Sequence, residues 1–229
     1  IADRWVPAQR LLGYCHALAA IFIVSAGYYG YVAGPAADFT TLFSLYSLSV
    51  AFFMPTIALS NSVAYTVLTN NNYDTIKAFP PIRTMGTVGF ICAMLFVNFV
   101  GFDNGSVGVN FGTSDTFLSF QNTYAQFYVS GFLGLLLFLF SFSLPNCPVN
   151  YKEGKMSLSD ALGLKAFALF KERKMAIFFI FSMLLGVSLQ ITNGYANPFI
   201  TSFKDVPDFA NSWGANNANA LISLSQVSE

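Results

Sequence analysis

The chain has 229 residues, of which 55% are hydrophobic and only 10% charged, and its 11 basic and 11 acidic residues cancel. Soluble domains carry roughly 25% charged residues, and the mean hydropathy here is +0.56, so a soluble core does not account for this composition. Zero net charge gives no support to a nucleic-acid partner or an acidic surface.

The placement of the charges points to a polytopic, all-α membrane protein. Leu11–Ala37, Phe39–Tyr73, Thr84–Phe102, Thr116–Tyr151 and Met175–Phe203 contain no Asp, Glu, Lys or Arg. Each run is near or above the ~18–20 residues that cross a bilayer as a helix. Cys15, Cys92 and Cys147 are scattered, with no C-x-x-C pair, which indicates neither a disulfide framework nor a metal site. They read as small packed residues. The chain opens on a charged loop without an initiator Met or a signal peptide and stops at Glu229 in helical sequence, so a piece of a longer protein is expected.

The first span is predicted over 9–34, with His16 a packed residue inside it. The second covers 40–69, with Pro55 mid-span and Ser60, Asn61 and Ser62 as interhelical hydrogen-bonding groups. A turn at Asn70–Asp74 leads to the third span, 81–102. Pro80 and Pro81 suit its first turn, where their missing N–H groups would be unpaired anyway, and this sets Arg83 one turn inside an apolar run. Residues 103–118 form a loop rich in Gly, Asn and Ser and free of Lys and Arg. The fourth span, 119–144, offers lipid-facing and packing surface. Residues 145–173 hold most of the connecting charge, and Ser157 or Ser159 caps a predicted amphipathic helix lying at the membrane interface. The fifth span, 174–202, is interrupted late by Asn197 and Pro198, a polar loop runs to about 216, and a sixth span begins at 217. The domain plan is therefore one helix bundle over 1–144, a connector over 145–173 and the start of a second bundle from 174. Alternate threading puts ten of the eleven basic residues on one side, leaving Lys204 opposite. The long connector is thus expected to be cytoplasmic.

Three polar clusters break the apolar runs. Arg83, Thr87 and Phe90 stand at i, i+4 and i+7, one face of a helix. Gln190, Asn193 and Asn197 share a face of the fifth span, and Ser223, Gln226 and Glu229 a face of the sixth. A charge inside a span is costly and marks a functional site by default. The carboxamides and hydroxyl offer donors and acceptors suited to a neutral solute with several hydroxyls or amide edges, and Phe90 could stack on a planar ring. Burial favours the neutral form of a carboxyl group, so Glu229 could take up a proton on one side and release it on the other. The residues open three readings: a transporter of a polar, partly planar solute, a sugar or glycoside symporter, and a non-transporting membrane scaffold or sensor. No nucleophile–base pair, metal-spaced cluster or phosphate loop appears, so neither an enzyme nor a bound cofactor is expected.

Phe79-Pro-Pro-Ile-Arg-x-x-Gly-Thr-x-Gly-Phe90 resembles the signature of the nucleoside:H+ symporter family of the major facilitator superfamily, the bacterial nucleoside permeases. Met54-Pro-Thr, 164–170, 175–186, Leu189-Gln-Ile-Thr-Asn193 and 222–229 extend the resemblance over nearly the whole chain. It implies a twelve-helix fold, of which this chain is similar to helices 3–7 and the start of helix 8. Ala2-Asp3-Arg4 would end the superfamily's helix 2–3 loop, although Val6, Pro7 and Ala8 replace its usual Gly-Arg-Arg. The resemblance implies that Arg83, Thr87, Phe90, Gln190, Asn193 and Gln226 bind nucleoside and that Glu229 serves proton coupling. Nucleosides, protons and the lipid bilayer are then the partners, in the cytoplasmic membrane, and a monomeric transporter is expected at full length.

Overall fold

The computed structural model describes residues 6–103, 105–112, 117–147 and 169–227. Its contacts divide into two units, 1–151 and 152–229. The predicted amphipathic segment at 157–168 lies outside the described residues.

The first unit is organised around α1, Ala8–Ala33. Leu12, His16, Ala19, Ala20, Ile23, Ala26 and Gly30 are buried at three- and four-residue spacing, and α1 packs against both α2, Phe39–Asn70, and α4, Ala125–Ser141. Small residues allow the second contact. A Cβ on Gly13 would strike Ser141 Oγ, one on Gly30 the Tyr124 ring, and one on Gly131 the Val24 side chain. Helices in lipid gain nothing from expelling water between them, so close van der Waals contact through small residues is their main attraction. Toward α2, Ser49 Oγ donates to the Ala19 carbonyl at 2.8 Å, and Phe22 stacks on Phe52. His16 is buried with its ring edge-on to Phe53 at 6.0 Å, the packed role expected of it. Of the expected interhelical hydroxyls, Ser60 bonds back to Ile57 in its own helix. Ser49 makes the link instead.

Both ends of α1 are fastened. Gly34, at φ 51°, ends the helix, and Asp38 caps α2 by accepting the Thr41 N–H and hydroxyl, both at 2.9 Å. Those bonds hold the Asp38 carboxyl below the usual carboxylate range. At the other end Gln9 is buried; its Nε2 donates to Asn146 Oδ1 at 2.7 Å and its Oε1 accepts the Cys147 N–H at 3.1 Å. One carboxamide thus ties the start of α1 to the chain leaving α4. Burial pushes the Cys147 thiol up. Cys92, expected to be packed, is exposed.

The third helix departs from its expected start. Helix α3 spans Thr75–Phe99, with Asp74 as its cap accepting the Ile76 N–H at 3.0 Å. Pro80 and Pro81 lie inside it, not in its first turn. An aspartate cap starts a helix as effectively as proline does, and Tyr65 of α2 stacks on Phe79 at 4.3 Å to hold the early turns. Helix α3 also ends sooner than predicted. Residues 100–119, read mainly as loop, contain a three-stranded antiparallel sheet in the order β2-β1-β3: β1 Val100–Asp103, β2 Ser106–Val109 and β3 Phe117–Ser119. The fourth span shortens to the 17 residues of α4, the lower limit for crossing.

In the second unit α5 is one continuous helix, Arg173–Ser202, running through Pro198. The expected interruption is absent: Pro198 lies close to the helix end and removes only the backbone bond to the Gly194 carbonyl, which a membrane helix tolerates. The polar loop contains a short helix, α6, Trp213–Asn216, and α7 follows at Ala218–Val227. Among the described residues α1, α2, α3 and α5 are long and apolar enough to cross a membrane.

Gly13→Val adds branched volume where a Cβ already overlaps Ser141. We expect it to lower the melting temperature of the purified, detergent-solubilised protein by the equivalent of about 1–3 kcal/mol, with Gly112→Val, in an open loop, as the neutral control.

Candidate functional site

Arg83 is the only cation within the apolar length of α3, and the early start of that helix puts it deeper than expected. It is the ninth residue of α3, roughly 12 Å along the axis from Thr75 at ~1.5 Å per residue. The next turns carry Thr87, half-buried, and Phe90, exposed. Arg83 is exposed and forms no ion pair with any described acidic residue. Its neighbour Ile82 turns instead toward α2 and helps line an apolar cavity of about 330 Å³ with Leu12, Val63, Val67 and Leu144. That cavity offers almost no hydrogen-bonding group besides Ser60 and does not suit a polar ligand. The polar stripe of α3 and the apolar cavity are separate features.

Gly86 and Gly89 flank this stripe, and a Cβ built on either meets nothing within 4 Å. A glycine inside a helix costs ~1 kcal/mol relative to alanine. No neighbour in the described residues accounts for that cost. The same pattern recurs on α5, where Gly186 and Gly194 also face open space and lie four residues to either side of Gln190, with Asn193 beside Gly194. These glycines were not singled out in the sequence; their spacing from Arg83 and Gln190 was the available signal.

Gln190 and Asn193 are both exposed. Asn197, grouped with them by spacing, has a different occupation: its Nδ2 donates to Asn219 Oδ1 of α7 at 2.6 Å, the helix-to-helix bond typical of carboxamides in membranes. Thr192 bonds back to the Ser188 carbonyl. On α7, Ser223 is buried and bonded to the Ala220 carbonyl. Gln226 is half-buried, with its Nε2 3.4 Å from Ser225 Oγ. Glu229 lies outside the described residues. Each unit thus presents part of the predicted set: Arg83, Thr87 and Phe90 together on α3, and Gln190 and Asn193 together on α5, with Gln226 on α7.

A sequence model of the family described as Nucleoside H+ symporter matches residues 1–229. The chain belongs to the nucleoside H+ symporter family. It is 40% identical over 229 residues to the xanthosine permease of Escherichia coli (strain K12) and 38% identical to the nucleoside permease NupG of the same organism, covering 100% of this chain and 49% of each relative. The chain therefore spans about half the length of the curated relatives it matches. A crystal structure of the nucleoside transporter NupG carrying one substitution superposes with a TM-score of 0.76 at 37% identity, over 99% of this chain and 50% of that one. A second NupG crystal structure gives 0.70. The helical membrane architecture of the major facilitator type, present here in part, follows from these matches. The small sheet at 100–119 is an addition to the all-helical expectation, and it leaves that architecture intact.

The two asparagines of α5 make opposite predictions. Asn197→Ala leaves Asn219 without its partner and should lower the melting temperature of the full-length protein by the equivalent of about 1–2 kcal/mol. Asn193→Ala, at an exposed position, should leave the melting temperature unchanged.

Proposed function

We propose that the full-length protein takes up nucleosides together with protons across a bacterial cytoplasmic membrane by alternating access, and that it does so as a monomer. Membership of the nucleoside H+ symporter family over the whole chain supports this reading. So does the stripe of Arg83, Thr87 and Phe90 set among glycines that face open space.

Each side chain has chemistry suited to the task. Arg83 presents five donors in a rigid fork with no acceptor capacity of its own, suited to base carbonyls or ribose oxygens. Phe90 offers a flat ring on which a base stacks. Thr87 adds a hydroxyl one turn from each. Gln190, Asn193 and Gln226 supply carboxamides, which pair with base edges because they donate and accept at once. Glu229 is assigned to proton coupling: a carboxyl group in a poorly solvated span favours its neutral form and ionises when water reaches it. Under this reading residues 1–144 belong to the N-terminal bundle, 145–173 form a cytoplasmic connector, and 174–229 open the C-terminal bundle.

Radiolabelled uridine uptake by the full-length protein, in cells lacking their own nucleoside permeases, tests the proposal. Uptake should collapse when a protonophore dissipates the proton gradient. Arg83→Ala should lower it by about tenfold to a hundredfold, the equivalent of losing a charged hydrogen bond of ~1.5–3 kcal/mol. Uptake indifferent to both treatments would refute the mechanism, and free sugars competing better than nucleosides would refute the substrate class.

A further inference from the structure

The small sheet leaves an apolar face exposed. Cross-strand partners point to the same side of a sheet, so the pairs Val100–Val109, Phe102–Val107 and Phe102–Leu118 put five apolar side chains on one face. The opposite face carries Gly101, Asp103, Ser106, Gly108, Phe117 and Ser119. An antiparallel sheet with one face in water normally buries its apolar side and exposes its polar one. Here Val107 is 66%, Val109 61%, Leu118 49% and Phe102 37% exposed and Val100 is half-buried, while on the opposite face Gly101 and Ser119 are buried and Asp103 and Ser106 are exposed.

The location of the sheet says what meets that face. Strand β1 follows the last residue of α3 with no residue between them, so the sheet stands where a membrane-spanning helix leaves the bilayer. Phenylalanines gather there: Phe102 and Phe96 both contact Phe120, and Phe99 contacts Phe111. Phenylalanine, like leucine and valine, inserts favourably into hydrocarbon. The five-residue face holds no side-chain donor or acceptor, whereas protein interfaces carry about one hydrogen bond per 100–200 Å². Residues 100–119 contain Asp103 and Asp115 but no Lys or Arg, which removes any attraction to anionic headgroups.

We infer that the Val100, Phe102, Val107, Val109 and Leu118 face is a lipid-contact surface that lies in the interfacial region of a zwitterionic leaflet and fastens the α3–α4 connection to the membrane.

Adjacent residues on opposite faces provide the test. In the full-length transporter, with its native cysteines replaced by serine and the protein reconstituted in phosphatidylcholine vesicles, a nitroxide is attached to V107C and, separately, to S106C. Power-saturation electron paramagnetic resonance then compares collisions with oxygen, which concentrates in the bilayer, and with a water-soluble nickel chelate. At position 107 oxygen should exceed nickel severalfold; at 106 the order should reverse. Labelled L118C reports the same face should V107C fail to fold, and retained uptake certifies each variant. Nickel dominating at 107 would place the face in water. Shielding from both reagents would place it against protein, whether the rest of the transporter or a second copy. Either result overturns the inference.

Discussion

The first unit depends on the closeness of α1 to its neighbours. In lipid, apolar side chains do not drive two helices together as they do in water, so association rests on contact area and on the few polar bonds that cross between helices. Gly13, Gly30 and Gly131 let the α1 and α4 backbones approach, and Ser49 bonds across to the Ala19 carbonyl. Once α1 is held between α2 and α4, the ends follow. Gln9 ties the exit of α4 to the start of α1, and the Gly34 and Asp38 turn aims α2 back through the membrane. Helix α3 makes far fewer contacts and buries only Asn98. That leaves its polar stripe open, which a ligand-facing helix requires.

The polar groups therefore divide by what surrounds them. Ser49, Ser141, Asn197 and Ser223 are satisfied by carbonyls or by another side chain, and they spend their hydrogen-bonding capacity on structure. Arg83, Gln190 and Asn193 are exposed, and near them glycines keep the helix surface low. Exposure alone would not separate a site from a lipid-facing surface. A guanidinium or a carboxamide facing hydrocarbon is costly, so open space combined with polar chemistry distinguishes these positions.

Much of this was legible beforehand. Charge-free runs located the first, second and fifth spans to within a residue or so and the third and fourth to within about six, and spacing placed Arg83, Thr87 and Phe90 on one face. The errors arose where two local rules competed. Pro80 and Pro81 looked like the beginning of α3, but Asp74 caps the helix six residues earlier, and that cap moved Arg83 inward from the boundary. The strands went unread because Val100, Phe102, Val107 and Val109 alternate over only four residues at a time, among glycines and asparagines that signal turns. Asn197 was grouped with Gln190 and Asn193 by periodicity, which reports a shared face and says nothing of where along that face another helix crosses. Gln9 had no sequence signal: a glutamine near a helix start looks like a solvated residue until its partners at 146 and 147 are known.

Helix α5 has a consequence for how the protein is made. Whatever packs against its 30 residues, a helix in hydrocarbon makes its backbone bonds within its own segment. A segment of that kind is inserted on its hydropathy alone, before any partner helix arrives. Leu184, Leu185, Val187, Leu189 and Ile191 must therefore outweigh Gln190 and Asn193 at the moment of insertion. The hydropathy of α5 thus bounds how many polar groups the helix can carry and still enter the membrane.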